Sequence, residues 1–91
     1  MPNAPKQKNW LITGVSSGIG RSIAEAALAE GHRVVGTVRN PKDAKKFEQL
    51  SPQRATAIVL DVSQAESVSA GVQAAAQALG GRIDVLVNNA G

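Results

Sequence analysis

The chain contains no cysteine and no tyrosine, and Trp10 and Phe47 are its only aromatic residues apart from the single His32. Without thiols there can be neither a disulfide nor a thiolate metal centre, and one histidine leaves no cluster for a metal ion. Nucleic-acid surfaces pair a basic stripe with stacking aromatics. Here the formal charge of +3 comes from lysines scattered between the start (Lys6, Lys8) and one short segment (Lys42, Lys45, Lys46), so no nucleic-acid partner is expected. No stretch approaches the roughly 20 apolar residues that cross a bilayer. Residues 1–9 are polar, carry Pro2 and Pro5, and lack the apolar core of a secretion signal. The expectation is a soluble, cytoplasmic protein with no membrane partner.

What is present is aliphatic: 43% of the chain is hydrophobic, with so few aromatics that the core must be built from Val, Ile, Leu and Ala. At 91 residues one small domain is the ceiling. We expect a polar leader over residues 1–9 and one domain over 10–91.

From Trp10 onward, short β-rich runs alternate with longer helical patterns, the signature of βαβ units and a parallel sheet. The runs Trp10 to Thr13, Arg33 to Val38, Thr56 to Leu60 and Ile83 to Val87 read as strands covered on both faces. A first helix from Gly18 to about Glu30 should bury Ile19, Ile23, Ala26 and Ala27 and stop at Gly31. A second should start with Asn40 as cap and Pro41 in the first turn, and end near Leu50. The third has Ser63 and Glu66 as a capping box, then Val68, Val72, Ala75 and Leu79 at helical spacing, and closes on Gly80 and Gly81. Right-handed crossovers then give an α/β fold with strand order 3-2-1-4. The reversal beside the first strand is a switch point, the place where open α/β sheets bind ligands beyond the carboxyl ends of their strands. Gly14 and Asn88 should face each other across it.

Between the first strand and first helix lies Thr13-Gly14-Val15-Ser16-Ser17-Gly18-Ile19-Gly20. A diphosphate docking on a helix N-terminus needs open amides and no Cβ atoms in its path, and Gly14, Gly18 and Gly20 meet that demand. Three other readings compete. Gly14 to Gly18 also spells G-x-S-x-G, a nucleophile elbow with Ser16 as nucleophile, but such a hydrolase needs an acid and then a histidine later in the chain, and His32 precedes a strand that runs away from the site. A Walker loop needs four residues between its glycines and then lysine, whereas five separate Gly14 from Gly20 and Arg21 follows. A turn whose glycines serve packing alone is the third.

The glycine stretch resembles the T-G-x-x-x-G-I-G motif of the classical short-chain dehydrogenase/reductase family. Asn88-Asn89-Ala90-Gly91 is similar to its N-N-A-G motif, and Asp61-Val62 to the acidic pair after its third strand. The resemblance covers Trp10 to the end of the chain and implies a partial Rossmann fold, doubly wound. It also implies that the backbone of Ser16, Ser17 and Ile19 cradles a pyrophosphate, with the serine hydroxyls as added donors. Asp61 would accept the adenine amino group, with the Val62 backbone supporting the ring. Asn89, Ala90 and Gly91 would line the ribose side, while Asn88 ties neighbouring strands and Thr13 is partly structural.

Cofactor choice is read at the end of the second strand, where NAD-preferring sites carry a carboxylate for the ribose 2′-hydroxyl. Val38 stands at that position and Arg39 follows, a planar charged fork suited to a 2′-phosphate. Asn40 and Lys42 could assist. NADP(H) is therefore the expected cofactor, with NAD(H) as the alternative.

The resembled family transfers hydride between its cofactor and a small carbonyl or alcohol substrate using serine, tyrosine and lysine, and its members are commonly homo-oligomers. With no tyrosine, this stretch contains no catalytic set, so we expect the cofactor-binding portion of such an enzyme, inactive by itself. A non-catalytic nucleotide-binding module is the alternative.

Overall fold

In the computed structural model, residues 7–60 and 65–89 are described. Their elements are β1 (Asn9–Ile12), α1 (Gly18–Ala29), β2 (Arg33–Val38), α2 (Pro41–Glu48), β3 (Ala55–Val59), α3 (Ala65–Ala78) and β4 (Val85–Val87). The strands form one parallel sheet in the order β3-β2-β1-β4 expected from crossover handedness. β1 and β3 each sit one residue earlier than the sequence pattern suggested, and β4 is shorter.

Alternating side chains build a core on each face of the sheet. Ile12, Val34, Val38 and Ala55 pack with α1 and with Phe47 of α2. Leu11 and Val35, their neighbours in sequence, pack with Ala75 of α3 and with Leu79 just past its end. This is the period-2 pattern of strands covered on both sides.

Two helix faces differ from the expectation. α1 buries Gly20, Ala24, Ala27 and Leu28, whereas Ile19 is 72% exposed and Ala26 also faces out. The physical reason lies at Gly20, where an added Cβ would overlap the Gly14 carbonyl oxygen. The close approach of α1 to the turn requires glycine inward, and Ile19, one position earlier, is thereby rotated outward. In α3 the inner face carries Gly71 and Ala75, followed by Leu79 just past the helix, and Val72 is exposed. A Cβ on Gly71 would come within 2.7 Å of the Leu60 side chain, which packs against this glycine. Ser63 and the side chains of Glu66 and Val68 lie outside the described residues.

Helix ends follow local chemistry. Asn40 caps α2, its side-chain oxygen accepting the Lys42 N–H at 2.9 Å, with Pro41 in the first turn. Gly31, Gly80 and Gly81 have positive φ and close α1 and α3. Arg54 Nη1 donates to the Leu28 carbonyl at 2.8 Å, and Arg33 Nη2 to the Ala78 carbonyl at 2.9 Å. α2 ends at Glu48, short of Leu50, and the Glu48 carboxylate accepts the outward Ala57 N–H of edge strand β3 at 3.0 Å.

At the amino ends of the strands, Asp84 joins β1 to β4. Its carboxylate accepts the Asn9 N–H at 2.8 Å and Arg82 Nε at 2.7 Å. The Asn9 amide bond, and then Arg82, hold the Asp84 carboxyl below its ordinary range. A depressed carboxylate stabilises the fold above its unfolded pKa, and that contribution disappears as pH falls through the folded value. Wild type should therefore exceed Asp84→Asn in thermal midpoint at neutral pH, with the gap closing below about pH 4. Melting curves across an acid series check this, and a gap that is independent of pH would contradict it.

Candidate functional site

β1 ends at Ile12, and the chain then turns sharply at the carboxyl edge of the sheet. Thr13 N–H donates to the Val87 carbonyl at 3.0 Å, and the Thr13 hydroxyl accepts the Asn89 N–H at 2.9 Å. Gly14 takes φ +74°, left-handed backbone that disfavours a side chain. Its N–H donates to the Thr37 hydroxyl at 2.9 Å, and the next amide, Val15 N–H, donates to the Thr37 carbonyl at 3.0 Å. Val15 is fully buried. It fits against β2 because Gly36 has no Cβ, which would otherwise overlap the Val15 side chain.

Beyond this anchored half, the turn opens. Ser16, Ser17, Gly18 and Ile19 are exposed. Ser17 is the N-cap of α1 in extended conformation, makes no side-chain cap bond, and no acidic residue follows in the first turn. The opening amides of a helix carry a partial positive charge and lack intrahelical acceptors. Gly18, at φ +69°, would direct a Cβ into open space with no heavy atom within 4 Å. The mouth of α1 therefore consists of amides without a side-chain cap beside open space at Gly18, whereas Gly20 behind it is closed against protein. The three glycines divide the work into a turn (Gly14), an open approach (Gly18) and tight packing (Gly20).

Asn89 reaches the turn from beyond the end of β4. Its Nδ2 donates to the Gly14 carbonyl at 3.1 Å, while Asn88 Oδ1 lies 3.4 Å from the Thr13 hydroxyl. The residue facing Gly14 is thus Asn89, where Asn88 had been expected. Its side chain and main chain together bind β4 to the glycine turn.

Arg39 is exposed immediately after the buried Val38 and makes no hydrogen bond or ion pair with any described residue. It borders an open depression of about 400 Å³, shared with Ile58, Val59 and Leu60 of β3 and its end, and with Ala70, Gly71 and Ala74 of α3. Another depression of similar size, around Lys45, Glu48 and Thr56, lies outside edge strand β3 and away from the turn. Asp61, Val62, Ala90 and Gly91 lie outside the described residues. His32 accepts the Lys8 N–H through Nδ1 at 3.0 Å at the amino edge of the sheet, opposite the end where Ser16 sits, so the two do not form a hydrolytic pair. No group of three potential metal-ligating His, Cys, Asp or Glu occurs among the described residues, and no helix there is long and apolar enough to cross a membrane.

Sequence reasoning missed Thr37 and Gly36 as parts of this site. A glycine and a buried hydroxyl inside an otherwise apolar strand were the available signal, because strand glycines mark close backbone approach.

A doubly wound α/β sheet with a glycine turn and an open helix mouth at its switch point defines a class of nucleotide-binding folds. Comparison narrows it. The family profile for short chain dehydrogenases matches residues 8–91. An NADPH-dependent 3-dehydrocapnine reductase from Ornithobacterium rhinotracheale is 43% identical over 82 residues, covering 89% of this chain and 29% of the relative. The 3-oxoacyl-(acyl-carrier-protein) reductase FabG of Salmonella typhimurium is 38% identical over 81 residues, covering 89% and 33%. The crystal structure of a short-chain dehydrogenase from Streptomyces avermitilis superposes with a TM-score of 0.83 at 50% identity, covering 93% of this chain and 30% of that one. The chain belongs to the short chain dehydrogenase family. It spans about a third of the length of these relatives.

Proposed function

We propose that this chain is the cofactor-binding portion of an oxidoreductase that moves hydride between NADP(H) and a small carbonyl or alcohol substrate. The observation that carries the reading is the mouth of α1, where uncapped amides and a side-chain-free Gly18 face open space. A diphosphate is the ligand such a mouth accepts, because its charge complements the helix terminus and its bulk needs the missing Cβ. NADP(H), when bound, supplies or accepts the hydride.

The residues of this chain bind and orient. Gly18 and Ile19 offer main-chain donors and Ser16 and Ser17 add hydroxyls, while Gly14 and Gly20 keep the turn against the helix. Asn89 holds the Gly14 carbonyl, and in this reading Asp61, Val62, Ala90 and Gly91 complete the adenine and ribose walls. Arg39 meets the 2′-phosphate. The choice of NADP(H) over NAD(H) is supported by the guanidinium of Arg39, which has no partner among the described residues, by Val38 facing the core where a diol-binding carboxylate would stand, and by the NADPH dependence of one relative. The proton-transfer set of the family has no counterpart here, since the chain contains no tyrosine. We assign the protein to the cytoplasm as a homo-oligomer, and take residues 10–91 as the binding unit after a short leader.

Titration of NADPH and NADH by fluorescence tests the reading. Arg39→Ala should weaken NADPH by about 10- to 100-fold, the range for a lost charged hydrogen bond, and leave NADH unchanged. Equal losses for both cofactors would remove the 2′-phosphate role, and a wild-type chain that binds neither would remove the reading itself.

A further inference from the structure

Among the charged, apolar and buried groups of the molecule, one polar side chain is buried on the glycine turn itself without belonging to it. Thr37 is 3% exposed near the carboxyl end of β2, on a strand whose other side chains are apolar apart from Arg33 at its first position. It meets the turn twice. Its hydroxyl accepts the Gly14 N–H at 2.9 Å, and its carbonyl accepts the Val15 N–H at 3.0 Å. A valine at this position would keep the strand and the volume and still offer the carbonyl, so the sheet itself has no need of the hydroxyl. What the hydroxyl adds is a fixed direction for the Gly14 peptide, three residues before the Ser17 cap.

The next peptide group, Gly14–Val15, is held on both sides, its carbonyl accepting from Asn89 Nδ2 at 3.1 Å and its Val15 N–H donating to the Thr37 carbonyl. Gly14 is left-handed and has no side chain to limit its rotation, so its orientation depends on the bonds from these two residues, Thr37 and Asn89. One comes from β2 and one from the end of β4. Gly36 completes the clamp from below by leaving room for Val15.

We infer that Thr37 is a positioning residue for cofactor binding: its buried hydroxyl holds the Gly14 peptide so that the amides opening α1 are aimed at the diphosphate before the cofactor arrives. The inference rests on the reading of the α1 mouth as a diphosphate site. Thr37 does not touch the cofactor, and it acts through Gly14. A preorganised donor set binds more tightly because less ordering remains to be done on association.

The test compares Thr37→Val, which removes the acceptor, with Thr37→Ser, which keeps it. Two probes are titrated into the full chain: NADPH, which carries the diphosphate, and adenosine 2′-phosphate, which reaches Arg39 but lacks it. Thr37→Val should raise the Kd for NADPH about tenfold, as the loss of one neutral hydrogen bond implies. It should leave the Kd for adenosine 2′-phosphate unchanged, while Thr37→Ser binds NADPH as wild type does. Unchanged NADPH binding by Thr37→Val overturns the inference, and so does a parallel loss for both probes, which marks general unfolding. Amide exchange in the wild-type chain decides the case if Thr37→Val does not fold. Gly14 N–H should be protected without ligand while the Ser16 amide exchanges freely, and equal rates at the two positions overturn the clamp. A wild-type chain that binds neither probe yet protects Gly14 counts against the cofactor reading and leaves the clamp standing.

Discussion

Gly20→Ala should be the most damaging single-methyl addition in the chain, costing about 3 kcal/mol or more, at or above the usual upper range for overpacking. The new Cβ would overlap the Gly14 carbonyl oxygen and come within 2.6 Å of Asn89 Nδ2. Neither neighbour can withdraw cheaply. Gly14 is bound on its N–H side to Thr37, and Asn89 is bound to both Gly14 and Thr13. α1 would have to move off the turn, carrying away the amides at its mouth, so stability and NADPH binding should fall together. Gly18→Ala provides the contrast. Its Cβ would meet nothing, and its cost comes from φ +69° alone, about 1–2 kcal/mol. Urea denaturation of both variants, with NADPH titration alongside, checks the order, and a Gly20→Ala chain as stable as Gly18→Ala would show that α1 does not pack on the turn as described.

Phe47→Ala should cost about 3–5 kcal/mol, the range for emptying a buried phenylalanine site. That is a large share of the 5–15 kcal/mol typical of a whole domain. Phe47 is the largest fully buried side chain and the only buried residue of α2, where it joins the core made with Ile12, Val34, Val38 and Ala55. Aliphatic neighbours cannot collapse far enough to fill the space of a ring. The effect reaches the site because α2 begins at Pro41, directly after Arg39 and the Asn40 cap. When α2 loosens, the backbone that carries Arg39 into the Asn40 cap is no longer held, so discrimination between NADPH and NADH should shrink in step with stability. Denaturant midpoints and paired titrations measure both, and a cost under about 1 kcal/mol, the level of an ordinary surface substitution, would mean that α2 is not held by this residue.

Strand identity, strand order and the location of the glycine turn were legible because they depend on strong local signals. Continuous Val and Ile runs form strands buried on both faces, Asn40-Pro41 opens a helix, and handedness does the rest. The helix faces were less legible. Helical periodicity in α1 allows several inward faces, and apolar content favours one with Ile19 and Ala26. Close packing chose the face with Gly20 instead, because backbone approach to Gly14 outweighs the burial of one isoleucine. On α3, Gly71 faces Leu60 and Val72 faces outward. At the site, the glycines and Arg39 could be identified from residue type. The grip of Thr37 and the crossing of Asn89 could not, because both are long-range contacts, separated by 23 and 75 positions from Gly14, that exist only once β2 and β4 flank β1.

Binding of a dinucleotide diphosphate at the amides opening α1 is what the proposed function requires. A crystal structure of the chain grown with NADP+ tests it most directly. The diphosphate oxygens should lie within hydrogen-bond distance of the main-chain N–H groups of Gly18 and Ile19, with the 2′-phosphate at Arg39. A dinucleotide found elsewhere on the molecule, with the mouth of α1 filled by the protein's own atoms, would contradict the account.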